Sequence, residues 1–165
     1  HHRQSSHHQT PIDSARTAPK RHDRQKIGQM KMAEETKAPM KALRVLVVED
    51  NALLGMLYAD LLEEMGHAVC AIETTETEAV AAAALYKPDL MIVDAVLDEG
   101  TGVSAVDEIL RTGFIPHVFV SGDAASVWAV RPGAIVMQKP FPAPDLARAI
   151  QSALILAQGG GPSDG

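Results

Sequence analysis

Five residues that could handle a phosphoryl group follow short apolar runs of this sequence. Glu49 and Asp50 follow RVLVV, Asp94 follows LMIV, Ser121 follows HVFV, and Lys139 comes two residues after AIVM. Crowded carboxylates repel one another unless a cation joins them or some of them protonate. A hard ion such as Mg²⁺ prefers oxygen ligands, and an ionised Asp can attack phosphorus to form an aspartyl phosphate. Lys139 and Ser121 could then neutralise and hydrogen-bond the phosphoryl oxygens.

These residues meet only if the apolar runs are strands of one parallel sheet. From Leu43 onward, short β-branched runs alternate with longer amphipathic stretches, which is typical of βα units. Ligands of open parallel sheets bind outside the carboxyl ends of the strands, so we expect the site at that edge. The predicted strands are 44–48, 68–72, 90–93, 117–120 and 134–137, and the predicted helices are 52–65, 77–86, 103–111 and 144–157.

One connection of this pattern departs from regular βα alternation. Between Val120 and Ala134 the sequence SGDAASVWAVRPG has two glycines, a proline and no helical stripe longer than about two turns. The fourth helix is therefore predicted to be short or absent. Trp128 lies in this segment, and the sequence leaves open whether it is a lid over the core or a docking residue.

Charge divides the chain into two parts. Residues 1–42 hold nine Lys or Arg and four Asp or Glu, a net +5, whereas the remainder has a net charge of −11. The first part has no sustained apolar period and is expected to be disordered. Residues 43–158 are expected to form one domain, and residues 159–165, GGGPSDG, a flexible tail. No basic recognition helix is present, so direct nucleic-acid binding is not expected.

Composition also indicates a cellular location. No apolar run approaches the roughly 18 residues that are needed to span a bilayer, so no membrane contact is expected. The single cysteine, Cys70, cannot form an internal disulfide. Both observations predict a cytoplasmic protein.

Four motifs carry a resemblance to a known family. VLVVEDN, MIVDAVLDEGTG, VFVSG and VMQKPF resemble, in residue type and spacing, the receiver domains of bacterial two-component response regulators, which are CheY-like. The resemblance covers roughly residues 43–158. It implies an α/β, flavodoxin-like fold with a five-stranded parallel sheet in the order 2-1-3-4-5. It also implies a single-domain, phosphoryl-accepting signalling protein, not an enzyme, that receives its phosphoryl group from a histidine kinase or phosphotransfer protein.

The resemblance assigns roles around the metal. Asp94 would be the phosphoacceptor, and Asp50 would bind Mg²⁺ directly. Glu49 would act on the ion through water, and Val96 would contribute its backbone carbonyl. Mg²⁺ is therefore the implied cofactor.

The resemblance also assigns the phosphate contacts. Ser121 matches the family's phosphate-sensing hydroxyl, and Lys139 matches its lysine, which is typically followed by a cis bond to proline. Gly102, eight residues past Asp94, matches a glycine that is usual in the family.

The chain departs from the family pattern in three respects. Asp98 replaces a usual proline, Val136 replaces the switch aromatic three residues before the lysine, and only 18 positions separate Ser121 from Lys139. These features resemble an atypical subgroup of single-domain receivers, the FATGUY type, with F-A-T-G-like and Q-K-P-F motifs. Those motifs are FVSG and QKPF in this chain. The subgroup implies a kinase of the HWE or a related histidine-kinase type.

Two alternative functions stay open from the sequence. A pseudo-receiver would keep the fold as a protein-binding module but would not accept a phosphoryl group. The missing switch aromatic and the short or absent fourth helix favour this alternative. A haloacid dehalogenase-type phosphohydrolase would also form an aspartyl phosphate beside Mg²⁺. That chemistry needs an acid two residues after the nucleophile, and position 96 is Val.

Overall fold

A computed structural model describes residues 41–159, which form a five-stranded parallel sheet with helices on both faces. The strand order is β2-β1-β3-β4-β5, and every pair is parallel, so the predicted fold class and order are confirmed. The strands are β1 Arg44–Val48, β2 Ala68–Glu73, β3 Leu90–Asp94, β4 His117–Ser121 and β5 Val136–Gln138. The helices are α1 Ala52–Glu64, α2 Glu76–Tyr86, α3 Gly102–Leu110, α4 Ala124–Val130 and α5 Ala143–Gly159.

The sheet separates two apolar cores. Side chains alternate across a strand, so Val45 and Val47 of β1 pack towards α1 and α5, while Leu46 and Val48 pack towards α2 and α3. Both sets are fully buried. Burial on both faces explains why the central strands are continuous apolar runs without a polar alternation. The polar residues that end these runs are thereby brought to one edge.

Strand boundaries differ from the predicted ones at the functional edge. β3 and β4 each run one residue further, so Asp94 and Ser121 are the last residues of their strands. β5 begins at Val136 instead of Ala134. The Ala134 N–H donates to the Arg131 carbonyl, and its own carbonyl accepts from the indole N–H of Trp128 at 2.9 Å. These turn contacts replace the strand pairing that was predicted there.

The fourth helix, α4, is short, as the sequence predicts. Its seven residues begin after Asp123, whose side chain accepts a hydrogen bond from the Ser126 N–H. It ends at Val130, and Arg131 is followed by Pro132, which disfavours helical backbone at the preceding residue. The indole N–H of Trp128 connects α4 to the turn that follows.

The two predicted terminal segments, 1–42 and 159–165, lie almost wholly outside the described residues. Within residues 41–159, no helix combines the length and the apolar character that a membrane crossing requires.

His67 is a buried titratable group at the far end of the sheet from the predicted site. Its Nδ1 accepts a hydrogen bond from the Leu43 N–H at 3.1 Å, and the side chain is 4% exposed. Burial lowers the pKa of His67 because the charged form is desolvated. The folded domain therefore resists protonation of this ring, and protonation of Nδ1 would also break the Leu43 hydrogen bond.

We expect the domain to lose stability through His67 as the pH falls. The unfolded chain binds a proton near pH 6.5, whereas the folded pKa is lower, so the contribution of His67 to stability decreases on acidification from pH 7.5 to 5.5. Other buried groups also change stability over this range, because burial lowers the pKa of His117 and raises that of Glu49. Urea unfolding followed by circular dichroism at both pH values therefore compares the wild type with His67→Asn, which keeps an acceptor but does not titrate. Relative to this variant the wild type should lose stability on acidification, and an identical pH dependence of the two proteins would contradict the assignment.

Candidate functional site

Three carboxylates converge at the carboxyl edge of the sheet. Carboxylate oxygens of Glu49, Asp50 and Asp94 all lie within 4.8 Å of one another. The strands explain this proximity, since β1 and β3 are neighbours and Val48 pairs with Val93 in register. The residues that follow or end these strands therefore lie side by side. The structure thus brings together the three side chains that the sequence predicts as the acidic group.

Lys139 neutralises part of this charge. Its Nζ donates to Asp94 Oδ2 at 2.6 Å and lies 3.5 Å from Glu49 Oε2. Burial alone would lower the pKa of Lys139, but the hydrogen bond to Asp94 and the two neighbouring carboxylates outweigh it, so the pKa is raised. The ammonium therefore stays charged at neutral pH. The Lys139–Pro140 bond is cis, as the resemblance implies.

Glu49 is a buried acid whose hydrogen bonding is incomplete. Burial, helped by a hydrogen bond and charge repulsion from Asp94, raises its pKa to about 8, while Lys139 opposes the shift. Among buried oxygens of the described side chains, only Glu49 Oε2 has no hydrogen-bond partner. An unsatisfied buried oxygen beside two further carboxylates fits the ligand preference of a hard divalent cation such as Mg²⁺.

A cavity of about 890 Å³ places the other predicted residues beside Asp94. Its lining includes Asp94, Val96, Ser121 and Lys139. The Val96 N–H donates to Asp94 Oδ1 at 2.9 Å, so the two oxygens of Asp94 are held by different donors. Ser121 is buried, and its Oγ accepts from the Asp123 N–H at 3.0 Å. The metal role of the Val96 carbonyl and the phosphate contact of Ser121 stay predictions.

Gly102 is required by the close approach of α3 to the acceptor strand. Its N–H donates to the Ala95 carbonyl at 3.1 Å. A Cβ at this position would lie 1.9 Å from the Asp94 carbonyl oxygen and 2.7 Å from Val93 Cγ1. The backbone that carries the acceptor and the first turn of α3 are therefore in contact, with no room for a methyl group.

Glu76 is a positioning residue that sequence reasoning missed. Its Oε2 accepts from the Thr101 N–H at 3.1 Å, and its Oε1 accepts from Ser104 Oγ at 2.5 Å. Glu76 begins α2, right after the N-cap Thr75, whose Oγ1 accepts from the Glu78 N–H. It thus fixes the loop after β3 from another helix. Its 25-residue separation from Thr101 left no local signal in the sequence.

A fourth acid, Asp98, lies beside the site. The charge of Asp50 is the main cause that raises the pKa of Asp98, and a hydrogen bond between the two adds to it. Asp98, which replaces a proline of the family pattern, thus adds negative charge next to Asp50. Gln138 is a further contact residue that received no predicted role, although it belongs to the quoted QKPF motif.

Comparison with known proteins agrees with the fold described above. The family model described as response regulator receiver domain matches residues 45–151. The phyllosphere-induced regulator PhyR of Methylorubrum extorquens is 33% identical over 121 residues, which are 71% of this chain and 45% of that protein. The transcriptional regulatory protein PdtaR of Mycobacterium tuberculosis is 35% identical over 115 residues, covering 67% and 56%. The chain spans about half the length of these relatives.

Solved structures share the same architecture. The receiver domain of Erythrobacter litoralis PhyR superimposes with a TM-score of 0.66 at 29% identity, covering 72% of this chain and 94% of that domain. The response regulator domain of Thermotoga maritima CheB gives 0.62 at 27% identity, covering 70% and 98%. With the family match over residues 45–151, these findings identify the chain as a member of the response regulator receiver domain family.

Proposed function

We propose that this chain accepts a phosphoryl group on Asp94 in a Mg²⁺-dependent phosphorelay. The observation that carries the proposal is the position of Asp94, paired with the ammonium of Lys139 and close to two further carboxylates that would complete a cation site. Receiver domains act with histidine kinases or phosphotransfer proteins, so the donor would be a phosphohistidine. Glu49, Asp50 and Asp94, with the Val96 carbonyl, would hold the ion.

The geometry supports a transfer in which the side chains have distinct roles. An Asp94 oxygen attacks phosphorus while the phosphorus–nitrogen bond to the donor imidazole breaks, and the imidazole nitrogen keeps the electron pair and takes up a proton from water. Lys139 would leave its 2.6 Å contact with Asp94 Oδ2 to neutralise a phosphoryl oxygen. Ser121 would donate a hydrogen bond from its hydroxyl group to a second phosphoryl oxygen. When bound, Mg²⁺ would neutralise the remaining negative charge of the phosphoryl oxygens.

We expect the protein to form one alkali-labile, acid-stable phosphoryl adduct when it is incubated with Mg²⁺ and acetyl phosphate. Asp94→Asn should abolish the adduct, because the amide is not a nucleophile. Asp60→Asn, an exposed position on α1, is the matched control and should be phosphorylated like the wild type. Intact-protein mass spectrometry measures the adduct. Undiminished labelling of Asp94→Asn would refute the proposal.

The same assay separates the alternative functions. An absent adduct and no Mg²⁺ binding in a folded wild-type protein would favour the pseudo-receiver, a protein-binding module. Sustained release of phosphate from an ester would favour the phosphohydrolase, whose second acid has no counterpart at Val96.

The finer assignment, also proposed, is the FATGUY type of receiver with an HWE-type kinase as donor. The seven-residue α4 and the absence of an aromatic at Val136 support it. The similarity to PhyR proteins is consistent with it. A panel of purified histidine kinases would test it, and preferential phosphotransfer from a kinase of another type would contradict it.

A further inference from the structure

The side chain of Gln138 bridges the last residue of β5 to the turn between β4 and α4. Its Oε1 accepts from the Ala124 N–H at 2.9 Å, and its Nε2 donates to the Gly122 carbonyl at 2.5 Å and the Lys139 carbonyl at 3.4 Å. Gln138 also pairs with Ser121 in the β4–β5 register. One amide therefore holds the backbone on both sides of Asp123.

The chemistry of these contacts requires an amide. The Ala124 N–H needs an acceptor, whereas the Gly122 carbonyl needs a donor, and a glutamine side chain offers one of each. A carboxylate would face two carbonyl oxygens, and an apolar side chain would leave the Ala124 N–H without its present partner. Gln138 thus fits this turn because of its amide group, and not only because of the length of its side chain.

Asp123, which lies between the two backbone groups that Gln138 binds, contacts a residue of the site. The Asp123 N–H donates to Ser121 Oγ at 3.0 Å. A hydroxyl oxygen that accepts from this N–H still has its own proton to donate. The direction of that proton is then restricted by the Asp123 N–H, whose position depends on the Gly122–Ala124 backbone. Ser121 and Asp94 line the same cavity.

We infer that Gln138 is a positioning residue for phosphoryl acceptance, acting on the Ser121 hydroxyl through the Gly122–Ala124 turn. This inference rests on the proposed function of Asp94. Through Gln138 and the turn, β5 would be connected to the phosphoryl group without the side chain at position 136, since Val136 has neither a ring nor a hydroxyl group. Gln138 itself touches neither Asp94 nor the phosphoryl group.

The first test concerns the turn itself and needs no phosphorylation. In Gln138→Met, a side chain of similar length without the amide, amide exchange of Ala124 should become about fivefold faster, as expected for the loss of one hydrogen bond. The amide signal of Asp123 should shift. Gln151→Met, at an exposed position of α5, is the control. Unchanged exchange and shifts in Gln138→Met would overturn the inference.

The second test is a double-mutant cycle on the rate of phosphorylation by acetyl phosphate with Mg²⁺. Gln138→Met should lower the phosphorylation rate about fivefold in the otherwise wild-type protein. It should have no further effect in a Ser121→Ala background, because the hydroxyl through which Gln138 acts is then missing. An equal slowing in both backgrounds would show that Gln138 does not act through Ser121. An unchanged rate in both would also overturn the inference.

The two tests separate the inference from the proposed function. If the wild type is not phosphorylated at all, the role of Asp94 fails, and the inference fails with it as a statement about phosphoryl acceptance. If the wild type is phosphorylated and the cycle shows no coupling, only the role of Gln138 fails.

Discussion

Replacing Gly102 with alanine is expected to destabilise the domain by about 3 kcal/mol or more. The added methyl group would lie 1.9 Å from the Asp94 carbonyl oxygen, a distance that cannot be relieved by a side-chain rotation because the neighbour is backbone. Either α3 must shift away from β3, or the last residue of β3 must move. Urea unfolding followed by circular dichroism measures the loss.

The same substitution should also impair the site, because the clash falls on the residue that carries the acceptor carboxylate. Gly133→Ala is the matched control, since a Cβ there meets no atom within 4 Å. It should change stability by no more than about 0.5 kcal/mol. A Gly102→Ala protein as stable as this control would mean that α3 does not approach β3 as closely as described.

Replacing Lys139 with methionine is expected to slow phosphorylation by acetyl phosphate about a hundredfold, the usual effect of removing one charge-stabilising donor. In metal-free buffer it should also cost about 2 kcal/mol of stability, because Asp94 loses its 2.6 Å ion pair and the buried Glu49 its nearest ammonium. The loss stays below that of a fully buried pair, since Lys139 is 25% exposed. Rates and urea unfolding give the two values.

A second substitution distinguishes charge from packing in this prediction. Adding Asp94→Asn to Lys139→Met should recover part of the stability, because one of the crowded carboxylates is removed. Lys41→Met, at an exposed position before β1, controls for the loss of a surface cation. If the double variant is no more stable than Lys139→Met, repulsion among the carboxylates is not the cause.

The sequence predicts most of the fold because the local patterns agree with the tertiary structure. The buried strands are short β-branched runs, and the residues that follow them converge for a topological reason, since parallel strands end at one edge. Asp94, Glu49 and Asp50 could be predicted in this way without knowledge of any contact. The short α4 could be predicted too, from its glycines and proline.

The features that the sequence could not predict depend on contacts between distant residues. Glu76 reads locally as an acidic residue in the first turn of α2, yet it binds the loop that follows β3. In the sequence, Gln138 is one polar residue near the end of a strand. Its amide contacts depend on the pairing of β4 with β5, so they could not be predicted from the neighbouring residues. The predicted start of β5 was wrong by two residues, because the N–H and carbonyl groups of Ala134 form hydrogen bonds within a turn.

Trp128 is the only tryptophan of the chain, and it lies in α4 with its indole hydrogen-bonded to the Ala134 carbonyl and its side chain partly exposed to solvent. Its fluorescence therefore reports on a single segment without any added label. A change in the Gly122–Ala124 turn that moves α4 would alter the polarity around the indole and shift its emission. The protein thus carries an intrinsic optical probe within α4, the structural element that separates it from receivers with a longer fourth helix.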